Sequence, residues 1–121
     1  MSTILIIDDD RIFRRLVVDA LEKRGHHVLQ AARGSEADTL LVSNKADLFL
    51  VDGLLPDMTG LQWLEKLRKT GIAAPALFVT SFWKSEPDFE LVTQQLGATQ
   101  LLRKPVTAER VADQVGVMLG G

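Results

Sequence analysis

The chain contains no cysteine and no tyrosine among its 121 residues, and only two histidines. Without cysteine there is no disulfide, no thiolate zinc site and no cysteine nucleophile. The histidines, His26 and His27, are adjacent. They make a poor basis for a metal site and read as surface or strand-start residues. No apolar run approaches the ~20 residues that span a bilayer. Met1 leads almost at once into an apolar stretch, a start with no room for a signal peptide; a cytoplasmic protein is expected. No excess of one charge is present either, the net charge being -2. Extended nucleic-acid surfaces usually show as strongly basic domains, so neither nucleic acid nor membrane is an expected partner. Repeats, low-complexity tracts and linkers are also missing, and the length suits one domain, residues 1–121, with one sizeable core.

What the sequence does have is alternation. Thr3–Ile7, His27–Ala31, Asp47–Val51, Ala76–Thr80 and Gln100–Leu102 are short runs that read as strands, several apolar enough to be buried on both faces. Between them lie segments with apolar residues spaced by three and four. Phe13, Leu16, Val17, Ala20 and Leu21 stripe a first helix, with Gly25 as its stop. Ser35–Ser43 carries Ala37, Leu40 and Leu41 on one face. Leu61, Leu64 and Leu67 mark a third helix with a core-facing stripe, ending near Gly71. Phe89–Leu96 reads as a fourth, stopped by Gly97. Val111, Ala112, Val115, Met118 and Leu119 stripe the last. Strand then helix, five times, predicts an α/β fold: a doubly wound parallel sheet with helices on both faces. The flavodoxin-like strand order 2-1-3-4-5 is the leading choice.

In such sheets ligands bind outside the carboxyl ends of the strands. After the first strand come Asp8, Asp9 and Asp10; after the third, Asp52. The fourth ends in Thr80 and Ser81, and the fifth is followed by Arg103, Lys104 and Pro105. The topology therefore brings Asp8, Asp9, Asp52, Thr80 and Lys104 into one cleft. Clustered carboxylates raise each other's pKa unless a cation compensates. Mg²⁺, an oxygen-seeking octahedral ion, suits them. A lysine supplies a point charge for a phosphate or carboxylate, and a hydroxyl can donate to a phosphoryl oxygen. This chemistry fits attachment of a phosphoryl group to a carboxylate, where positioning and charge neutralisation do most of the work. Asp10 reads differently, as the residue that opens the first helix. Arg11, Arg14 and Arg15 read as a solvated face.

The runs ILIIDDD, DLFLVD, ALFVTS and LLRKP, taken in order, resemble the receiver domain of bacterial two-component response regulators, and the resemblance covers essentially the whole chain. The loop LPDMTG (Leu55–Gly60) matches as well. The resemblance implies that Asp52 accepts phosphate from a histidine kinase or phosphotransfer protein. It implies that Asp8, Asp9, Asp52 and the Leu54 carbonyl hold Mg²⁺, that Thr80 and Lys104 contact the phosphoryl group, and that the first helix helps dock the phosphodonor. Such a domain is not an enzyme on other substrates; it catalyses only its own phosphorylation and dephosphorylation. Its output would pass through the face of the fourth helix and fifth strand to a protein effector or an attached output domain. The oligomeric state is left open, a homodimer included.

Three departures stand out. The fifth-strand position that is often aromatic in the family is Leu101. The residues two beyond Asp52 and Thr80 are Leu54 and Phe82, and neither can orient a water by hydrogen bonding; a long-lived phosphate is expected. The stretch Ser81–Glu90 is about two residues longer than the common pattern and carries Phe82, Trp83 and Phe89, either as a satellite core or as a docking patch. Two other functions compete. A degenerate receiver would act as a constitutive protein-binding module. A haloacid-dehalogenase-like phosphatase would use Asp8 as nucleophile and Asp10 as acid/base, but then Asp52 has no role.

Overall fold

A computed structural model of the chain describes residues 2–81, 89, 93, 94 and 96–120. Its centre is a five-stranded parallel sheet, β1 (Thr3–Ile7), β2 (His27–Ala31), β3 (Leu48–Val51), β4 (Ala76–Thr80) and β5 (Thr99–Arg103). The strand order is β2-β1-β3-β4-β5, as expected. Among the described residues lie four helices: α1 (Arg11–Lys23), α2 (Gly34–Ser43), α3 (Gly60–Lys69) and α4 (Ala108–Met118). Half of the helix expected over 89–96 falls outside the described residues. Phe89 and Thr93, which are described, are helical, and the Thr93 hydroxyl donates to the Phe89 carbonyl at 2.8 Å.

The two-residue period of the strands sorts the core into two layers. Ile4, Ile6, Leu48, Leu50, Leu77 and Val79 face one side, where α1 and α4 cover them with Val17, Leu21, Val111 and Val115. Leu5, Ile7, Phe49, Val51, Ala76 and Phe78 face the other, against α2 and α3. Because both faces are covered, the central strands β3 and β4 are buried along their whole length. Full burial of each Leu, Ile or Val contributes roughly 1.5–3 kcal/mol, which explains why uniform apolar runs rather than alternating ones define these strands.

Small differences from the sequence expectation have local causes. β3 starts at Leu48, not Asp47, because the Asp47 carboxylate turns back to accept from the Thr3 amide at 2.7 Å. β5 runs one residue further at each end, since Thr99 and Arg103 pair with Ala76 and Thr80. In α3, Leu64 and Leu67 are buried but Leu61 only partly so; Trp63 fills the core instead, edge-on to Phe49 at 5.4 Å. Phe89 is buried against Phe78, their rings 5.3 Å apart, so this aromatic packs in the core. Phe82 and Trp83 lie outside the described residues.

Candidate functional site

Both key carboxylates sit one residue past a strand, held there by continued strand pairing. The Asp8 amide donates to the Ala31 carbonyl at 3.0 Å, and the Asp52 amide donates to the Ile7 carbonyl at 3.0 Å. The chain after Asp8 then turns straight into α1. Asp10 caps that helix, its carboxylate accepting from the Phe13 amide at 3.0 Å. The three consecutive acids thus separate as expected, with Asp10 capping and Asp8 and Asp9 left at the strand end.

Asp8, Asp9 and Asp52 each offer a carboxylate oxygen within 4.8 Å of the others. Asp8 is buried, Asp52 partly buried and Asp9 exposed. Lys104 reaches into this group from the end of β5. Its ammonium lies 3.0 Å from Asp8 Oδ2 and 3.6 Å from Asp52 Oδ2, and stands 4.6 Å from the centre of the Phe13 ring. The other oxygen of Asp8 accepts from the Asp10 amide at 2.9 Å. Thr80 is buried at the end of β4, and its carbonyl accepts from the Lys104 amide at 3.2 Å, which ties the lysine's backbone to the strand carrying the hydroxyl. Asp9, Asp52, Leu54, Thr80 and Ser81 share the wall of an open cleft of about 520 Å³. All five side chains that the sequence assigned to one cleft are therefore brought together.

Burial and neighbouring charge set the electrostatics of the cluster. Burial pushes the Asp8 carboxyl above its ordinary value, and the nearby Asp52 charge adds to this; the Asp10 amide and Lys104 offset only part. Burial pulls the Lys104 ammonium down, but the hydrogen bond and charge of Asp8, then Asp52, outweigh it and leave it raised. Among the described residues, the one ammonium of Lys104 faces the three carboxylates of Asp8, Asp9 and Asp52. A second cation on the cleft side would restore balance, and an all-oxygen donor set of this kind suits Mg²⁺.

One contributor was not legible in the sequence. Arg14, read as part of a solvated face, is only partly exposed. Its guanidinium donates to the Asp8 backbone carbonyl at 2.5 Å and to Gln30 Oε1 at 3.3 Å, bracing the turn that carries Asp8 and Asp9. Arg15 does remain on the surface, paired with Asp19 at 3.3 Å. Only the helical phase of Arg14, one turn into α1, hints that it can reach back to the strand end.

Comparison with known proteins gives a concordant picture. The sequence model described as "Response regulator receiver domain" matches residues 4–116. Protein PilH of Pseudomonas aeruginosa is 32% identical, with both chains covered in full. The phosphate regulon transcriptional regulatory protein PhoB of the same organism is 27% identical over 98% of this chain, but only 52% of PhoB is covered. The chain thus spans about half the length of that regulator and the full length of PilH. A solved two-component response regulator from Clostridium difficile superposes with a TM-score of 0.87 at 28% identity, covering 99% of this chain and 97% of that one.

Proposed function

The chain belongs to the response regulator receiver-domain family, and we propose that residues 1–121 form one receiver unit in which Asp52 is the phosphoacceptor. Signalling by phosphorylation is the standard role of this family. An Asp52 carboxylate oxygen attacks the phosphorus of a phosphohistidine on a histidine kinase or phosphotransfer protein. The nitrogen–phosphorus bond breaks and the imidazole leaves. Asp8, Asp9, Asp52 and the Leu54 carbonyl would hold Mg²⁺, which supplies neutralising charge to the phosphoryl oxygens when bound. Lys104 pairs with the new phosphoryl group and the Thr80 hydroxyl donates to it. The observation that carries this reading is the Lys104 ammonium held between Asp8 and Asp52, beside a cleft that Asp52 shares with Thr80. The added charge of about −1.5 to −2 then biases the β5 face and the segment before it, which a protein effector or output domain reads.

Incubation with acetyl phosphate followed by intact-mass spectrometry tests the reading. One phosphoryl adduct that requires Mg²⁺ is expected; none, with donor and metal in excess, would leave the constitutive binding module as the function. The phosphatase alternative is disfavoured by Asp8 itself. Its side chain is only 3% exposed and both of its oxygens are engaged, so it is badly placed to attack a substrate.

Two further outcomes follow from surfaces beside the site. Ile12 and Leu16, four apart on α1, are 76% and 55% exposed, flanked by the exposed Arg11 and Arg15. A groove of about 800 Å³ runs past them to Asp9 and Gln30. The ridge suits an apolar, acidic helix of the phosphodonor. Changing both to Glu (I12E with L16E) should slow transfer from a phosphorylated protein donor at least tenfold, about 1.4 kcal/mol, while acetyl phosphate works as before. Equal slowing with both donors would refute docking there. Leu54 is 56% exposed and lines the cleft without any side-chain group to orient water. The phosphoryl group should therefore persist well beyond seconds, and Leu54→Asn should shorten its lifetime. A wild-type half-life of seconds would sink this expectation.

A further inference from the structure

The loop between β3 and α3 carries the Leu54 carbonyl, and something must hold it still. It is closed on itself: the Leu55 amide donates to the Met58 carbonyl at 2.9 Å, Leu54 and Thr59 form an isolated bridge, and the Gly60 amide donates to the Gly53 carbonyl at 3.0 Å. Leu55 anchors its base in the core layer that faces α2 and α3. Asp57, at its tip, reaches across to another element. One carboxylate oxygen accepts from the Gly34 amide at 2.9 Å and the other from the Ser35 amide at 3.0 Å. These are the first two amides of α2, donors that no residue of their own helix can satisfy. Arg33, the residue preceding α2, makes no side-chain cap hydrogen bond of its own. The cap therefore comes from a loop 22 or more residues away. Next to it, Met58 packs on Gly34 so closely that a Cβ there would lie 2.8 Å from the methionine methyl.

We infer that Asp57 is a positioning residue for the metal site: by clamping the loop to the start of α2 it fixes the Leu54 carbonyl where the Asp8–Asp9–Asp52 cluster can use it. The inference rests on the proposed metal site and adds a residue to it. A two-point clamp holds orientation as well as distance, because two oxygens on one planar carboxylate meet two consecutive amides. The same loop also donates the Leu54 amide toward Asp52 Oδ1 at 3.4 Å, so its placement bears on the acceptor carboxylate too. Residues that orient a metal ligand without touching the metal typically cost on the order of 10–100-fold in affinity when lost.

The test is a Mg²⁺ titration of the whole chain followed by two-dimensional ¹⁵N NMR at the Gly53 and Leu54 amides, with thermal stability measured alongside. Asp57→Ala should weaken Mg²⁺ binding by about tenfold, and Asp57→Asn, which keeps one acceptor oxygen, by less. Glu36→Ala is the control: Glu36 accepts from the Ala32 amide at 2.8 Å and so supports the same helix start without touching the loop. It should lower thermal stability and leave Mg²⁺ affinity unchanged. Wild-type affinity in Asp57→Ala would overturn the inference, as would an equal loss in Glu36→Ala, which would reduce Asp57 to a helix cap. Failure of the wild-type chain to bind Mg²⁺ would instead overturn the metal reading underneath.

Discussion

Asp52→Asn should abolish the phosphoryl adduct entirely while leaving the fold intact. The amide is nearly the same shape, so the partly buried side chain loses no packing. It does lose its nucleophilic oxygen. Among the described residues, the neighbouring carboxylates are otherwise engaged or differently placed. Asp8 has one oxygen on Lys104 and the other on the Asp10 amide, and Asp10 is committed to capping α1. Asp9 is exposed at the cleft edge and makes no ion pair with Lys104, which pairs with Asp8 and Asp52. The substitution also removes a negative charge that raises the Asp8 pKa. The sign is then fixed. A carboxyl raised in the folded state costs stability as pH rises through that raised value, so lowering it toward the ordinary value relieves the cost. The metal-free variant should therefore melt no lower than wild type at neutral pH, Lys104 keeping its nearer partner Asp8. Intact mass and a thermal melt check both halves. An adduct of wild-type yield on Asp52→Asn would move the acceptor to another residue and revive the phosphatase reading with Asp8 as nucleophile.

What was legible in the sequence follows the range of the interaction concerned. β1, β2 and β4 were readable to the residue because their pattern is a one-dimensional consequence of burial. The Asp10 cap was readable because its partner, the Phe13 amide, is three residues away. The convergence of Asp8, Asp52, Thr80 and Lys104 was readable because topology alone places the ends of neighbouring strands side by side. Contacts that the strand order does not dictate were not. Nothing local marks Asp57 as a cap for a helix that starts at Gly34, nor Arg14 as a brace on the Asp8 carbonyl. The spacing of Leu61, Leu64 and Leu67 draws the α3 stripe through three leucines. The structure puts Trp63 in the core and turns Leu61 partly outward, because the indole spans to Phe49 and donates through Nε1 to Asp38 at 2.9 Å. An aromatic residue with a polar handle needs such a partner to be buried, and that partner lies on α2.

The glycine closing the loop motif LPDMTG predicts the largest stability effect. Gly60 is the first residue of α3, directly against the Asp52 backbone. A Cβ built there would overlap the Asp52 carbonyl oxygen outright, and would sit 2.8 Å from Val51 Cγ1 and 3.1 Å from the Asp52 carbonyl carbon. Two of the three obstacles are backbone atoms of Asp52, so relief requires Asp52 or α3 to move. Overpacking of this kind costs about 1–3 kcal/mol, occasionally more, and a backbone obstacle puts it at the upper end. The gain in helix propensity from Gly to Ala, at most about 1 kcal/mol, does not offset it. Gly60→Ala should lower the melting temperature by roughly 10 °C. Movement of Asp52 by even a fraction of an ångström should also slow phosphorylation by acetyl phosphate, up to the order of 10²-fold that an ~1 Å misplacement can cost. Gly34→Ala is the informative contrast. Its Cβ meets the sulfur and methyl of Met58 at 2.9 and 2.8 Å, and Trp63 Cδ1 at 3.2 Å; the thioether is the flexible end of an adaptable side chain. That variant should lose less stability and keep most of its phosphorylation rate. If Gly60→Ala melts and phosphorylates like wild type, the acceptor's backbone does not rest on this glycine. If both variants fall together, the constraint belongs to the packing of α2 and α3 as a whole rather than to the approach of Gly60 to Asp52.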